Sequence, residues 1–117
     1  MRTSSGDRGE IDGRIFELLS ASKKELELGL YDRAVGSAYL AVRMAIEVFL
    51  NRKRVYIPRT DAELIDELRN LTERKIWRAA VRLMVYNVQA SYVGADELMA
   101  RKALELAEDI IETVYRR

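Results

Sequence analysis

The chain contains no cysteine and no histidine. The first absence removes disulfides and thiol chemistry. Together they leave a zinc ion only carboxylates, a poor structural site. A di-iron helical bundle needs Glu-x-x-His on two helices and is excluded as well. Neither a Ser-His-Asp nor a Cys-His arrangement can be built from one chain. The six glycines are scattered and form no phosphate-binding loop. No cofactor and no metal is therefore expected. No apolar run approaches the roughly 20 residues of a membrane span. The opening MRTSSGDRGE lacks the apolar core of a secretory signal. The formal net charge is only +1, which gives no general attraction to nucleic acid or to an acidic membrane. These readings predict a cytoplasmic protein with no membrane contact. Glutamine occurs once, at Gln89, and arginine outnumbers lysine three to one. That composition leans toward a thermophilic source.

What is present reads as helix throughout. At 117 residues the chain makes one domain. A domain of that size buries roughly 65% of the surface its unfolded chain exposes, enough to fold without a staple. Residues 1–9 are polar and read as a disordered tail; residues 10–117 form the domain. A first helix is predicted from about Glu10 to Leu28, with Ile11, Ile15, Leu18, Leu19, Ser22 and Leu26 on one side. Gly29 stops it, and the turn to Asp32 is short enough to force an antiparallel hairpin.

The second helix, predicted from Asp32 as its cap to Arg52, carries the most information. Ala34, Ala38, Ala41 and Ala45 share a face where another helix can approach closely. Val35, Val42, Ile46 and Phe49 broaden that face, while Gly36, Leu40 and Met44 fall behind it. A helix apolar nearly all round is buried on more than one side. The strip Gly36, Leu40 and Met44 is accordingly a candidate contact between two copies, with burial under another helix of the same chain as the alternative.

The loop NRKRVYIPR follows, and Thr60-Asp61-Ala62-Glu63 matches a capping box for a short third helix ending near Leu71. A fourth helix is predicted over Glu73–Tyr92, with Ile76, Trp77, Ala80, Leu83, Met84 and Val88 inward. Gly94 ends it. A fifth is predicted over Asp96–Tyr115, with Met99, Ala103, Ala107, Ile110 and Val114 inward. No stretch reads as a strand. The fold class is all-α, an up-and-down bundle of four to five helices.

Two segments lack acids. One holds Arg74, Lys75, Arg78 and Arg82 and runs on to Ala95; the other holds Arg52, Lys53, Arg54 and Arg59. Lys75, Arg78 and Arg82 share one edge of their helix. With Arg52, Lys53, Arg54 and Arg59 they are candidates to touch RNA phosphates or a nucleotide, with Tyr56 and Trp77 near enough in sequence to stack on a base. The alternative is pairing of Arg78 and Arg82 with Asp66 and Glu67, while Trp77 fills the core.

The pattern Leu28-Gly29-x-Tyr31-Asp32-x-Ala34, followed by Ala38, Tyr39, Ala41, Val42 and the apolar finish Phe49-Leu50, resembles the HEPN domain, the higher eukaryote and prokaryote nucleotide-binding domain. The order of segments agrees from about Glu10 to Tyr115. The resemblance implies a helical bundle that is usually dimeric. It also implies a protein partner such as a small nucleotidyltransferase, in a toxin–antitoxin type of pairing. Ribonuclease members carry Arg, four to six residues, then His, brought together across the dimer. The matching stretch here is Arg82-Leu83-Met84-Val85-Tyr86-Asn87. The arginine is in place, but an amide has no titratable proton near neutral pH and cannot act as acid or base. Leu83 stands where active members often carry a polar residue. The reading is therefore a homodimeric, non-catalytic module. The alternative is a metal-independent endoribonuclease in which Arg82 works with Asn87 or Tyr86. Asn87, in register with Leu83, Ala80 and Ile76, is expected to be a core or interface amide whose hydrogen bonds are satisfied locally, with the remnant of a site facing a partner chain as the alternative.

Overall fold

The computed structural model describes residues 4–116 of the chain. Five helices follow in order: α1 (Ser4–Glu27), α2 (Tyr31–Arg52), α3 (Asp61–Leu71), α4 (Arg74–Tyr92) and α5 (Glu97–Arg116). The all-α reading holds, with four long helices and one short one. Of the tail expected over residues 1–9, the first three lie outside the described residues; from Ser4 the chain is helical.

Each helix stops where local chemistry stops it. At the end of α1, Leu30 N–H donates to Glu25 O at 2.8 Å and Gly29 N–H to Leu26 O at 3.1 Å. Gly29 has φ +78°, the left-handed turn that this double bond requires and that glycine adopts without strain. The same pair of bonds closes α2, from Val55 N–H to Leu50 O and Arg54 N–H to Asn51 O, but the left-handed residue there is Arg54 with φ 60°. Thr60 Oγ accepts from Glu63 N–H at 3.2 Å and caps α3. Only half of the expected box forms, because the Thr60 hydroxyl itself donates to Glu63 Oε1. Asp96 caps α5, accepting from Met99 N–H at 2.9 Å.

Asp32 does not cap α2. The helix begins one residue earlier, at Tyr31, with no side-chain cap. The Asp32 carboxylate instead accepts from Ala95 N–H at 2.6 Å. That bond ties the α1–α2 turn to the α4–α5 connection and fixes one end of the bundle. At the other end Arg52 donates to Val114 O at 3.2 Å. The two links place the start of α2 by the start of α5 and the end of α2 by the end of α5. So α2 and α5 run one way, and α1 and α4 the other.

α2 is the axis of the bundle and touches all four other helices. Ala34, Ala38, Ala41 and Ala45 are buried, as are Val35, Val42, Ile46, Phe49 and Leu50. Burial of a side chain such as Phe49 or Ile46 contributes about 1.5–3 kcal/mol. Ser22 on α1 is fully buried and donates to Ala34 O at 2.7 Å, pinning α1 to α2. α2 is also long and apolar enough, by length and composition, to cross a membrane. That corrects the expectation that no run comes near such a span; half of the stretch is buried against the chain's own helices, as in a core helix.

Gly13 of α1 and Gly29 of the turn after it separate backbone strain from helix propensity. Gly29→Ala is expected to destabilise the chain by about 1–2 kcal/mol, because Ala resists the left-handed turn. Gly13→Ala, inside α1 with nothing within 4 Å of the new methyl, is expected to stabilise by about 0.5–1 kcal/mol. Urea unfolding of both variants measures the two signs.

Candidate functional site

Of the sequence-predicted site residues, Lys75, Trp77, Arg78, Arg82, Tyr86 and Asn87 lie on α4, and the others lie on α2 and the loop after it. Ile76, Ala80, Leu83 and Met84 are buried and Trp77 half-buried, as expected. Val88 is the correction: it is 55% exposed. With Val81 and Val85, also exposed, it forms an outward ridge at spacings of four and three. Those spacings are a second helical stripe on the same helix. Reading a single inward face hid it.

Grooves flank the ridge on both sides. On one side α4 meets α5, and a groove of about 750 Å³ is lined by Lys75, Arg78, Arg82, Tyr86 and Trp77, with Asp109 from α5. On the other side α4 meets α3, and a groove of about 590 Å³ is lined by Ala62, Ile65, Met84, Val88 and Gln89, with Asp61 at its edge. Val81 and Val85 line both.

The structure therefore brings together Lys75, Arg78 and Arg82, the expected basic edge, and sets Arg82 beside Tyr86. The ion pairs proposed as the alternative do not form: among the described residues neither Arg78 nor Arg82 pairs with an acid, and Asp66 and Glu67 stay outside the ion pairs. Trp77 carries the Arg69 guanidinium over its ring at 4.9 Å. The loop cations lie elsewhere. Arg52 is held at the end of α5. Lys53 sits 5.5 Å over the Phe49 ring. Arg54 occupies the strained cap, and Arg59 offers its carbonyl to Arg43 at 3.0 Å. None of these four lines the α4–α5 groove among its described residues, and neither does the exposed Tyr56.

Asn87 turns away from Arg82. Five residues along a helix rotate a side chain by about 140°, so Asn87 faces α2 while Arg82 faces α5. Its Oδ1 lies 4.0 Å from where a Cβ on Gly36 would stand. A methyl at Gly36 would make only ordinary contact with it, so the passage of α2 past α4 does not depend on glycine here. Of the strip behind the alanines, Gly36 and Met44 are half-buried and Leu40 is 48% exposed. Asn87 is half-buried too. Against the expectation of a satisfied amide, its side chain makes no hydrogen bond among the described residues; its backbone O accepts from Ser91 Oγ at 2.9 Å.

A feature absent from the sequence reading fixes α3 in place. The loop after α2 doubles back, bringing Asp61 level with Tyr39 and Arg43. The Asp61 carboxylate accepts from the Tyr39 hydroxyl at 2.9 Å and forms an ion pair with Arg43, which also pairs with Glu47 at 3.3 Å. Arg43 and Glu47 look like interruptions in an apolar helix; their partners are 18 and 4 residues away, and only folding shows the first. Burial pushes the Tyr39 hydroxyl above its ordinary value, and its hydrogen bond to Asp61 adds to the rise. At the far end of α5, burial and a 2.5 Å bond to Asp12 push Tyr115 up as well.

The fold and this helix define a class: a small all-α bundle around a small-residue helix, with a basic edge and an unpaired apolar ridge on α4. The chain belongs to the HEPN domain family, whose model matches residues 16–117. Comparison with curated proteins and with solved structures returned no match.

The tyrosine shifts set an alkaline dependence. A group whose proton is held more tightly in the folded chain supports stability below its unfolded value, about pH 10 for tyrosine, and that support is lost as pH rises beyond it. Stability is therefore expected to fall above pH 10. Tyr39→Phe is expected to cost about 1 kcal/mol at pH 7 through the lost hydrogen bond and to flatten part of the alkaline fall. Urea midpoints at pH 7 and above 10 check it; an unchanged alkaline slope contradicts the assignment.

Proposed function

We propose that this HEPN domain is a non-catalytic assembly module. It works as a homodimer and associates with a protein partner such as a nucleotidyltransferase, in a toxin–antitoxin type of system. The observation that carries the reading is the α4 ridge. Val81, Val85 and Val88 leave three large apolar side chains uncovered in one row on α4, with Leu40 exposed in the neighbouring strip of α2; the exposed Phe16 of α1 and Leu98 of α5 stand on other helices. Contiguous exposed apolar surface of this kind marks an interaction site. A two-fold contact uses the same patch twice, and the family's habit of dimerising favours a second copy as its first occupant.

The non-catalytic part rests on chemistry. Proton transfer needs a group that titrates near working pH. The chain has no histidine or cysteine, and Asn87 faces a different flank of α4 from Arg82. The second reading, a metal-independent endoribonuclease, is favoured by Arg82 and Tyr86 sharing one groove. A guanidinium there is suited to a charged transition state.

Light scattering at micromolar concentration tests the assembly. The wild-type chain is expected at dimer mass. Val85→Glu, which sets a charge in the middle of the ridge, is expected to shift it to monomer, a loss of at least about tenfold in affinity. A wild-type monomer across this range overturns the dimer. Incubation with a mixed RNA pool separates the two readings: no cleavage is expected. Cleavage that disappears in Arg82→Ala supports the enzyme instead.

A further inference from the structure

The exposed side of α3 and α4 is striped in three lanes. The middle lane is the uncharged ridge Val81, Val85 and Val88. One flank carries Lys75, Arg78 and Arg82 against the single acid Asp109 of α5, and Arg78 and Arg82 are exposed and in no ion pair among the described residues. The other flank is α3. Its Ala62 and Ile65 line the groove beside the ridge, and Asp66, next to Ile65 and one turn after Ala62, is exposed and likewise in no ion pair among the described residues.

Heights match as well as lanes. Only Thr72 and Glu73 join α3 to α4, Arg69 near the end of α3 lies over Trp77 near the start of α4, and Asp61 at the other end of α3 lines the groove along Val81, Val85 and Val88. So α3 runs antiparallel to α4. Asp66, between those two anchors and beside Ile65, falls level with the Arg78–Arg82 turn.

Two-fold symmetry then has two choices for laying one ridge on another. An axis across α4 sets the basic flank of one copy against the basic flank of the other. An axis along α4 sets basic against acidic, at the same height, on both sides of the ridge. Like charges facing each other across an interface are strongly disfavoured, and complementary ones fix orientation.

We propose that the homodimer pairs α4 with its copy side by side and parallel, with Arg78 and Arg82 of each chain engaging Asp66 of the other. The proposal rests on the dimer reading above and adds the orientation, the charged partners and a dependence on ionic strength. Exposed pairs of this kind weaken as salt screens them. The occupant is a second copy because the surface complements itself: what is unpaired and positive on one flank has its unpaired negative counterpart on the other.

The test is a charge swap, Arg82→Glu in one preparation and Asp66→Arg in another, read by light scattering and sedimentation at low salt. Both residues are exposed, and circular dichroism confirms that each variant folds. Each variant alone is expected to dimerise at least about tenfold more weakly than wild type, because each homodimer sets like charges together at two symmetric places. An equimolar mixture is expected to recover the dimer. In the heterodimer the two introduced side chains, of opposite charge, face each other on one side of the ridge, and the native Arg82 and Asp66 still meet on the other. A wild-type dimer with both reversals as tight as wild type overturns the orientation and leaves the dimer standing; a wild-type monomer overturns both. If Arg82→Glu keeps the dimer but loses binding of a single-stranded RNA oligonucleotide at low salt, the basic flank is an RNA surface and the proposal falls.

Discussion

Close approach of helices to the alanine face of α2 is the constraint on which the domain depends. Helix axes pack 8–10 Å apart according to the side chains between them. Ala34, Ala38, Ala41 and Ala45 are all buried, so neighbouring helices press onto backbone-width surface. Larger residues, Ile46, Phe49 and Leu50, fill the space toward the other end, where the bundle opens to admit the loop and α3. Interiors packed to crystal density do not accept extra methylenes without strain, typically 1–3 kcal/mol. The alanines are therefore not interchangeable with other apolar residues.

That constraint also explains how much the sequence discloses. Small residues at helical spacing, glycines where helices stop and a Thr-x-x-Glu start are local signals, and the five helices follow from them with ends shifted by a residue or so in α2 to α5. Fold class and family were legible for this reason. The misses share a different cause. Asp32 looks like a cap and is instead a long-range ligand of Ala95 N–H. Arg43 and Glu47 look like blemishes and belong to a cluster that includes Tyr39 and Asp61. Val88 looks like core and is exposed. Periodicity says which side chains share a face; it carries no information about what lies opposite that face.

The chemistry of the site follows from rotation along one helix. Side chains four apart share a face and five apart do not. Arg82 and Tyr86 therefore meet in the α4–α5 groove, while Asn87 looks across Gly36 toward α2. A motif of arginine, four residues and a final side chain cannot close on itself within a single α4. In the family's ribonuclease members the resemblance implies closure across a dimer, where a second chain brings one flank to the other. In this chain the final position is an amide, so such closure would bring hydrogen-bonding groups together and no proton carrier.

Charge is distributed over the helices in two ways, and the contrast bears on what α4 is for. α5 pairs its own charges, Arg101 with Glu97 and Arg116 with Glu112, each one turn apart, and Glu108 reaches Lys23 of α1. Pairs of that sort add only tenths of a kcal/mol, but they neutralise charges within the chain's own surface. α4 cannot do the same, because no acid occurs between Arg74 and Ala95. Its cations must be hydrated or met by another element. Glu73 directly precedes the helix and Asp109 of α5 lines its basic groove, while Asp66 of α3 lies across the valine ridge from Arg78 and Arg82. A surface that holds its opposite charges apart across an apolar ridge is suited to a contact in which a second surface of the same pattern bridges the gap. The solvent-facing pairs of α5 have no such use.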